Sequence, residues 1–396
     1  VLVRGTRIAA VGSWREISRF GGGEVVDLGQ SALLPGLINA HCHLDYTGMA
    51  GHLPPMGVFT DWLKLITELK SGWSYDDYSE SWRQGADMLL RTGCTTVADI
   101  EAVPELLPAI WRSTPLRVFS FLEIIGMTPR RSTEIVLAEF NNKLRQLGAK
   151  SGTVGISPHA PYSTVPDLLS KSSVLALHKD LRMCIHIAES KLEYDMFMRG
   201  RGELYNWMRR SGRDMSDCRG HTPVAYASSC GVLNDRLLAV HVNYLGRGDA
   251  AVLGKAGVHV VHCPRSHEYF RHAKFQLKRL RRAGVNVCLG TDSLASVLKA
   301  RREKVRLSMF DEMRVLLANN HDLSPRLALL MSTMAGAKAL GFEGKAGEFA
   351  PGAFADLIAV PTPASGDVME AVVHHQGDVS CTMLKGSWAI PPSKFE

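Results

Sequence analysis

The stretch "LINAHCHLD" closes an apolar run with His41 and His43, one residue apart. Side chains at i and i+2 of a strand leave the same face, so both imidazoles can reach one ion above that strand's end. Two further groups of ligand chemistry stand in the same position elsewhere: His186 in "CIHIAES" and Asp292 in "CLGTDS". Three imidazoles and a carboxylate form a ligand set for a borderline divalent metal, with a position left open for water. Glu189 follows His186 by three residues, and His241 ends the run "LLAVHV". A carboxyl group and an imidazole beside metal-activated water suit general acid–base work. Singly, each has a plainer explanation: His186 and His241 as packing histidines, Asp292 as a helix cap, Glu189 as a solvated carboxylate. Their shared placement at strand ends favours the metal.

That placement needs a sheet whose strand ends converge. Eight short apolar, β-branched-rich runs occur at 33–41, 95–100, 117–124, 153–158, 182–188, 237–242, 257–262 and 286–291. Segments of helical length separate most of them, including "DYSESWRQGADMLLRTG", "VPDLLSKSSVLALHKD" and "HAKFQLKRLRRAG". Near-continuous apolar strands alternating with helices predict a parallel sheet covered by helices. Eight units in about 260 residues match an α/β (β/α)8 TIM barrel, whose active sites lie at the strands' C-terminal ends. Residues 1–32 and 345–396 are Gly-rich, short-stranded and turn-laden. Both chain ends are expected to meet in a small β-sandwich beside a barrel spanning 33–344.

At 396 residues, 45% hydrophobic and 21% charged, the chain has ordinary globular composition. No run approaches the roughly 18 apolar residues of a membrane helix. The start, "VLVRGTRIAAVG", has no signal-peptide pattern and reads as a strand entered midway. The eight cysteines are scattered without a C-x-x-C pair, which suits buried reduced thiols in a cytoplasmic protein. The net charge of +7 concentrates in "RHAKFQLKRLRRAG" and "KARREKVR". Solvated helix faces explain both, so neither nucleic acid nor membrane is an expected partner.

The motifs "PGLINAHCHLD", "SPHAPYS", "HIAES", "AVHVNYL", "VVHCPRSH" and "GTDS", in that order, resemble those of the amidohydrolase superfamily over essentially the whole chain. The branch is that of cytosine, guanine, adenosylhomocysteine and aminodeoxyfutalosine deaminases, with the triazine chlorohydrolases. The resemblance implies His41, His43, His186 and Asp292 as metal ligands, and Glu189 and His241 as the proton-transfer pair, with Asp292 also accepting a proton. Binuclear members carry a carboxylated lysine at the fourth strand; here "GISPHAPYS" offers His159 and no lysine, which favours one ion. Zinc is expected, with Fe2+ or Mn2+ chemically admissible.

The mechanism so implied is attack of metal-bound hydroxide on an aromatic amino-heterocycle, with Glu189 protonating the ring and ammonia leaving. "GVFTDWL" resembles the family's lid region, where Asp61 would hold a sugar hydroxyl and Trp62 line the pocket. Glu123, His159 and Ser293 complete the expected substrate contacts. Arg265 and His267 replace the family's more usual Ser and Asn, and would suit an anionic or extended substrate. These departures favour an aminopurine nucleoside such as aminodeoxyfutalosine. A triazine-type chlorohydrolase or aminohydrolase, a cytosine or guanine deaminase, and a catalytically silent metal-stabilised scaffold remain as alternatives. A homodimer is compatible with the sequence.

Overall fold

The computed structural model describes residues 1–54, 58–128, 131–148 and 153–392. Gly57, the first residue of the segment compared with a lid, lies outside them. Eight strands carry the site: β1 (Leu37–Cys42), β2 (Cys94–Glu101), β3 (Arg117–Ile124), β4 (Val154–Pro158), β5 (Met183–Ile187), β6 (Leu237–His241), β7 (His259–His262) and β8 (Asn286–Leu289). Each pairs in parallel with its neighbour in the chain. Alternate side chains, among them Ile38, Ala98, Phe119, Phe121, Cys184 and Val240, form one buried cluster. The intervening ones, such as Leu37, Val97, Leu122 and Ile185, join the helices in a larger cluster. Burial on both faces is what the near-continuous apolar runs require.

The ring closes just past the end of β8. Thr291 and Asp292 donate their backbone N–H groups to the His41 carbonyl at 3.0 and 3.1 Å, and His43 N–H donates to the Asp292 carbonyl at 3.2 Å. Gly290 makes this approach possible. A Cβ there would lie 2.8 Å from the His41 carbonyl oxygen and 2.9 Å from its Cβ. The seam of the barrel therefore runs through three of the expected ligands, His41, His43 and Asp292.

The run 33–41 is not one strand. Ser31–Pro35 pairs antiparallel with Leu357–Pro361, and β1 begins only at Leu37. Pro35 and Gly36 mark the break: proline has no N–H for a ladder, and a Cβ at Gly36 would lie 2.2 Å from the Thr95 side chain. Ser31–Pro35, Leu357–Pro361, Cys381–Leu384 and Ser387–Ile390 form a four-stranded antiparallel sheet, while Leu2–Arg4 and Arg7–Ala10 form a separate pair. A buried ion pair, Arg117–Asp356, ties β3 to this end of the molecule, with the guanidinium 4.2 Å from the Phe354 ring centre.

Helices cover the barrel at Phe59–Ser71, Tyr75–Arg91 and Pro166–His178. Ser74 caps the second through Asp77, and Pro166 opens the third, where its missing N–H costs nothing. The basic segments depart from their helical spacing. In "HAKFQLKRLRRAG" only Leu277–Arg282 is helical, because Phe275 stacks on His262 with ring centres 3.8 Å apart and holds the preceding residues against the barrel. Residues 299–306 form no helix; Lys299 Nζ donates to the Ala50 carbonyl and Arg306 pairs with Asp378, so tertiary partners override periodicity. All eight cysteines are buried and free. No helix among the described residues is long and apolar enough to cross a membrane.

Candidate metal centre and active site

The strand ends that carry the site are backbone-strained. His241 and Asp292 have φ of 71° and 54°, and Ala188, just past β5, has 53°. Non-glycine residues there cost on the order of 1 kcal/mol or more and persist only where their surroundings fix them.

His41, His43, His186, His241 and Asp292 come together. The ring centres of His41 lie 5.0 Å from those of His43 and His186, and His186 lies 5.5 Å from His43 and from His241. Asp292 Oδ1 sits 3.6 Å from His41 Nε2 and 3.8 Å from His43 Nε2. Its other oxygen, Oδ2, accepts from the hydroxyls of Ser266 (2.6 Å) and Ser296 (2.9 Å), which turns Oδ1 towards the imidazoles. His186 Nδ1 is 2.8 Å from the His159 carbonyl. Nδ1 must carry the proton in that bond, leaving Nε2 for the cluster. The Asp99 carboxylate braces the loop after His43 from below, accepting from Leu44 N–H and Trp82 Nε1–H.

A divalent ion fits these residues. His41 Nε2 is fully buried and has no hydrogen-bond partner, which costs free energy unless something accepts its lone pair. The ligand atoms of His41, His43 and Asp292 all lie within 4.8 Å of one another, as do those of His41, His186 and His241. Tetrahedral ligands about 2.1 Å from one ion stand about 3.4 Å apart, close to the two imidazole–carboxylate separations. Burial, then neighbouring imidazoles, lowers the His43 pKa well below its usual value and that of His186 to about 3. Burial likewise lowers His241. His43, His186 and His241 are thereby held in the neutral form that offers a lone pair. Burial opposes the charge of Asp292, but the facing His41 and the other imidazoles around it hold it well below the ordinary carboxylate range.

Glu189 behaves oppositely. Burial, then the neighbouring Asp292 and Glu193 carboxyls, raises its carboxyl well above the usual value, which favours the protonated form. Its Oε1 is 3.5 Å from His241 Nε2. A cavity of about 300 Å3 opens over this floor. Trp62, Glu123, His159 and Ser293 line it, as do His43, His186, Glu189, His241 and Asp292. Trp62 is fixed by Nε1–H donation to the Ala295 carbonyl, and His159 by Ser163 Oγ at 2.7 Å.

Three expected substrate contacts lie elsewhere. Asp61 pairs with Lys64 at 2.9 Å on the exposed side of its helix and does not line the cavity; one residue along a helix turns a side chain by about 100°, so only Trp62 faces inward. Arg265 points to helix Met309–Ala318, 3.6 Å from Asp311 and 3.9 Å from Glu312, and donates to the Arg306 carbonyl. His267 Nδ1 meets Asn243 Oδ1 at 3.0 Å, outside the cavity. The expectation that Arg265 and His267 suit an anionic or extended substrate thus loses both residues on which it rested.

Other lining groups carried little signal in the sequence. Tyr46 stacks on His43 at 5.0 Å and receives Lys70 Nζ–H on its hydroxyl. Tyr162, inside "SPHAPYS", offers a buried hydroxyl with no partner. Trp207 and Met208 reach the cavity from helix Glu203–Arg210, whose amphipathic pattern looked like any packing helix. Ser266 and Ser296 lay inside or beside quoted motifs, yet their aim at Asp292 depends on loop conformation.

A (β/α)8 barrel with an imidazole–carboxylate cluster and a buried glutamic acid at its strand ends defines a metal-dependent hydrolase. Residues 32–389 match the Amidohydrolase family. The 5-methylthioadenosine/S-adenosylhomocysteine deaminase of Syntrophobacter fumaroxidans is 30% identical over 91% of this chain and 79% of its own length. The aminodeoxyfutalosine deaminase of Deinococcus radiodurans is 30% identical over 75% of this chain and 72% of its own. The structure of Helicobacter pylori aminofutalosine deaminase superposes with a TM-score of 0.84 at 23% identity, over 98% of this chain and 94% of that one, which speaks to the fold. The chain belongs to the amidohydrolase family.

Proposed function

We propose that the protein is a hydrolytic deaminase of 6-aminopurine nucleosides, and that zinc is its ion. The observation that carries this is the buried Glu189 carboxyl, 3.5 Å from His241 and beside the imidazole–carboxylate cluster at the cavity floor, where burial favours its protonated form. A carboxylic acid kept neutral at pH 7 is what a ring nitrogen needs in order to accept a proton as its neighbouring carbon is attacked. Both curated relatives described above are named as deaminases of modified adenine nucleosides, which supports a nucleoside over a bare base.

His41, His43, His186 and Asp292 would hold the ion. When bound, it supplies Lewis acidity that brings water deprotonation near neutral pH. Glu189 donates to the ring nitrogen beside the amino-bearing carbon, and the hydroxyl proton of the adduct returns to it as the carbonyl forms and ammonia leaves. His241 is set to hydrogen-bond the oxygen that adds to that carbon. Asp292, with Oδ2 held by two serines and Oδ1 facing the cluster, takes up the proton of the incoming water and returns it to the leaving ammonia. Glu123 suits ribose hydroxyls, and the apolar wall of Trp62, Ile66, Met127, Trp207 and Met208 suits a 5′ substituent.

The test is a panel of 5′-deoxyadenosine, 5′-methylthioadenosine, aminodeoxyfutalosine, guanine, cytosine and a chlorotriazine, scored for released ammonia and chloride. Ammonia from the adenine nucleosides at the highest kcat/KM supports the proposal. Chloride release, or activity confined to the free bases, refutes it.

A further inference from the structure

Glu189 follows Ala188, whose φ of 53° lies in the left-handed region. A conformation of that kind survives only when neighbouring groups over-determine it. The Glu193 carboxyl, in the first turn of helix Lys191–Arg199, accepts from Ala188 N–H at 3.0 Å and Glu189 N–H at 2.9 Å. On the other side, Asn243 Nδ2–H donates to the Glu189 carbonyl at 2.9 Å, and Asn243 N–H donates to the Ala188 carbonyl at 3.0 Å. The Asn243 amide can donate there only with its Oδ1 turned away, and that oxygen meets His267 Nδ1. An amide oxygen has no proton to give, so His267 Nδ1 carries one. Glu193 and Asn243 are buried, and none of the three residues lines the cavity.

We infer that Glu193, Asn243 and His267 are positioning residues. Glu193 grips the N–H of Glu189, the Asn243–His267 pair grips its C=O, and together they aim the Glu189 carboxyl at the substrate ring nitrogen. None of them touches substrate. Proton donation works over about 2.6–3.2 Å, and a misplacement of about 1 Å costs on the order of 10²-fold in rate. A rigid peptide therefore matters more here than at a purely binding residue. The inference rests on Glu189 being the proton donor.

The experiment is a double-mutant cycle on the zinc-loaded protein, with Glu193→Gln and His267→Leu each made alone and in the Glu189→Gln background. Each single variant is expected to lose kcat by roughly 10²-fold, with KM within about threefold and zinc content unchanged. Neither is expected to lower the residual kcat of Glu189→Gln further, since a clamp has nothing left to aim. His267→Gln, which keeps a donor N–H, is expected to recover most of the loss. Should Glu193→Gln fail to fold, the His267→Leu and His267→Gln pair carries the same comparison. Wild-type kcat in both single variants, or losses that multiply with Glu189→Gln, overturns the inference. Wild-type turnover in Glu189→Gln alone would instead overturn the role of Glu189.

Discussion

Each ligand candidate stands at or just beyond a strand end, and that regularity made the cluster legible before any coordinates. His41 and His43 share a face by strand periodicity, and the barrel brings His186 and Asp292 to them within a few ångströms. Side-chain direction past the strand end was not legible. Arg265 and His267 sit in a motif beside the site, yet a helix turn sends Arg265 to the acidic Asp311–Glu312 pair and His267 to Asn243. Those partners lie up to 47 residues away in the chain, beyond the reach of local pattern. The proton-transfer assignment gives a sharp expectation. Glu189→Gln should bind zinc normally and lose about 10²–10⁴-fold in kcat, measured by ammonia release beside metal analysis; full turnover would remove Glu189 from the reaction.

The runs that became β2 to β8 were found within a few residues of their observed ends, because strands buried on both faces leave a dense apolar signature. The first run failed for a physical reason: apolar residues continue unbroken from the end sheet into the barrel, and only Pro35-Gly36 marks the change. The basic stretches failed because stacking of Phe275 and tertiary partners of Lys299 and Arg306 outweigh helical periodicity. Closure between β8 and β1 joins element to site. In Gly290→Ala the new Cβ would collide with the His41 backbone, so the seam must open. We expect a loss of about 1–3 kcal/mol in stability, read by urea unfolding, together with weaker zinc retention under a chelator. Wild-type zinc affinity in a stably folded Gly290→Ala protein would separate barrel closure from ligand placement.

Across the whole molecule, buried carboxyls set how stability responds to pH. Burial raises Glu312 to about 8 despite Arg265, and Glu193 to about 8 despite its backbone hydrogen bonds. An unfolded glutamate titrates near 4.3, so between these values the folded state holds protons that the unfolded chain releases. Their contribution is fully present below about pH 4 and is lost as pH rises through about 8. Glu312→Gln should therefore flatten the fall of Tm between about pH 4 and pH 8, and an unchanged slope would show that Glu312 is ionised in the fold. The barrel, the end sheet and the cavity serve the arrangement proposed above, in which His41, His43, His186 and Asp292 would hold an ion beside the acid of Glu189. Its most direct test is a zinc titration of chelator-treated protein, following deamination of 5′-deoxyadenosine and bound zinc together. Activity should rise linearly and break at one ion per chain, and should not appear in Asp292→Ala. Full activity in metal-free protein, or one bound zinc without any deamination of adenine nucleosides, would contradict the account.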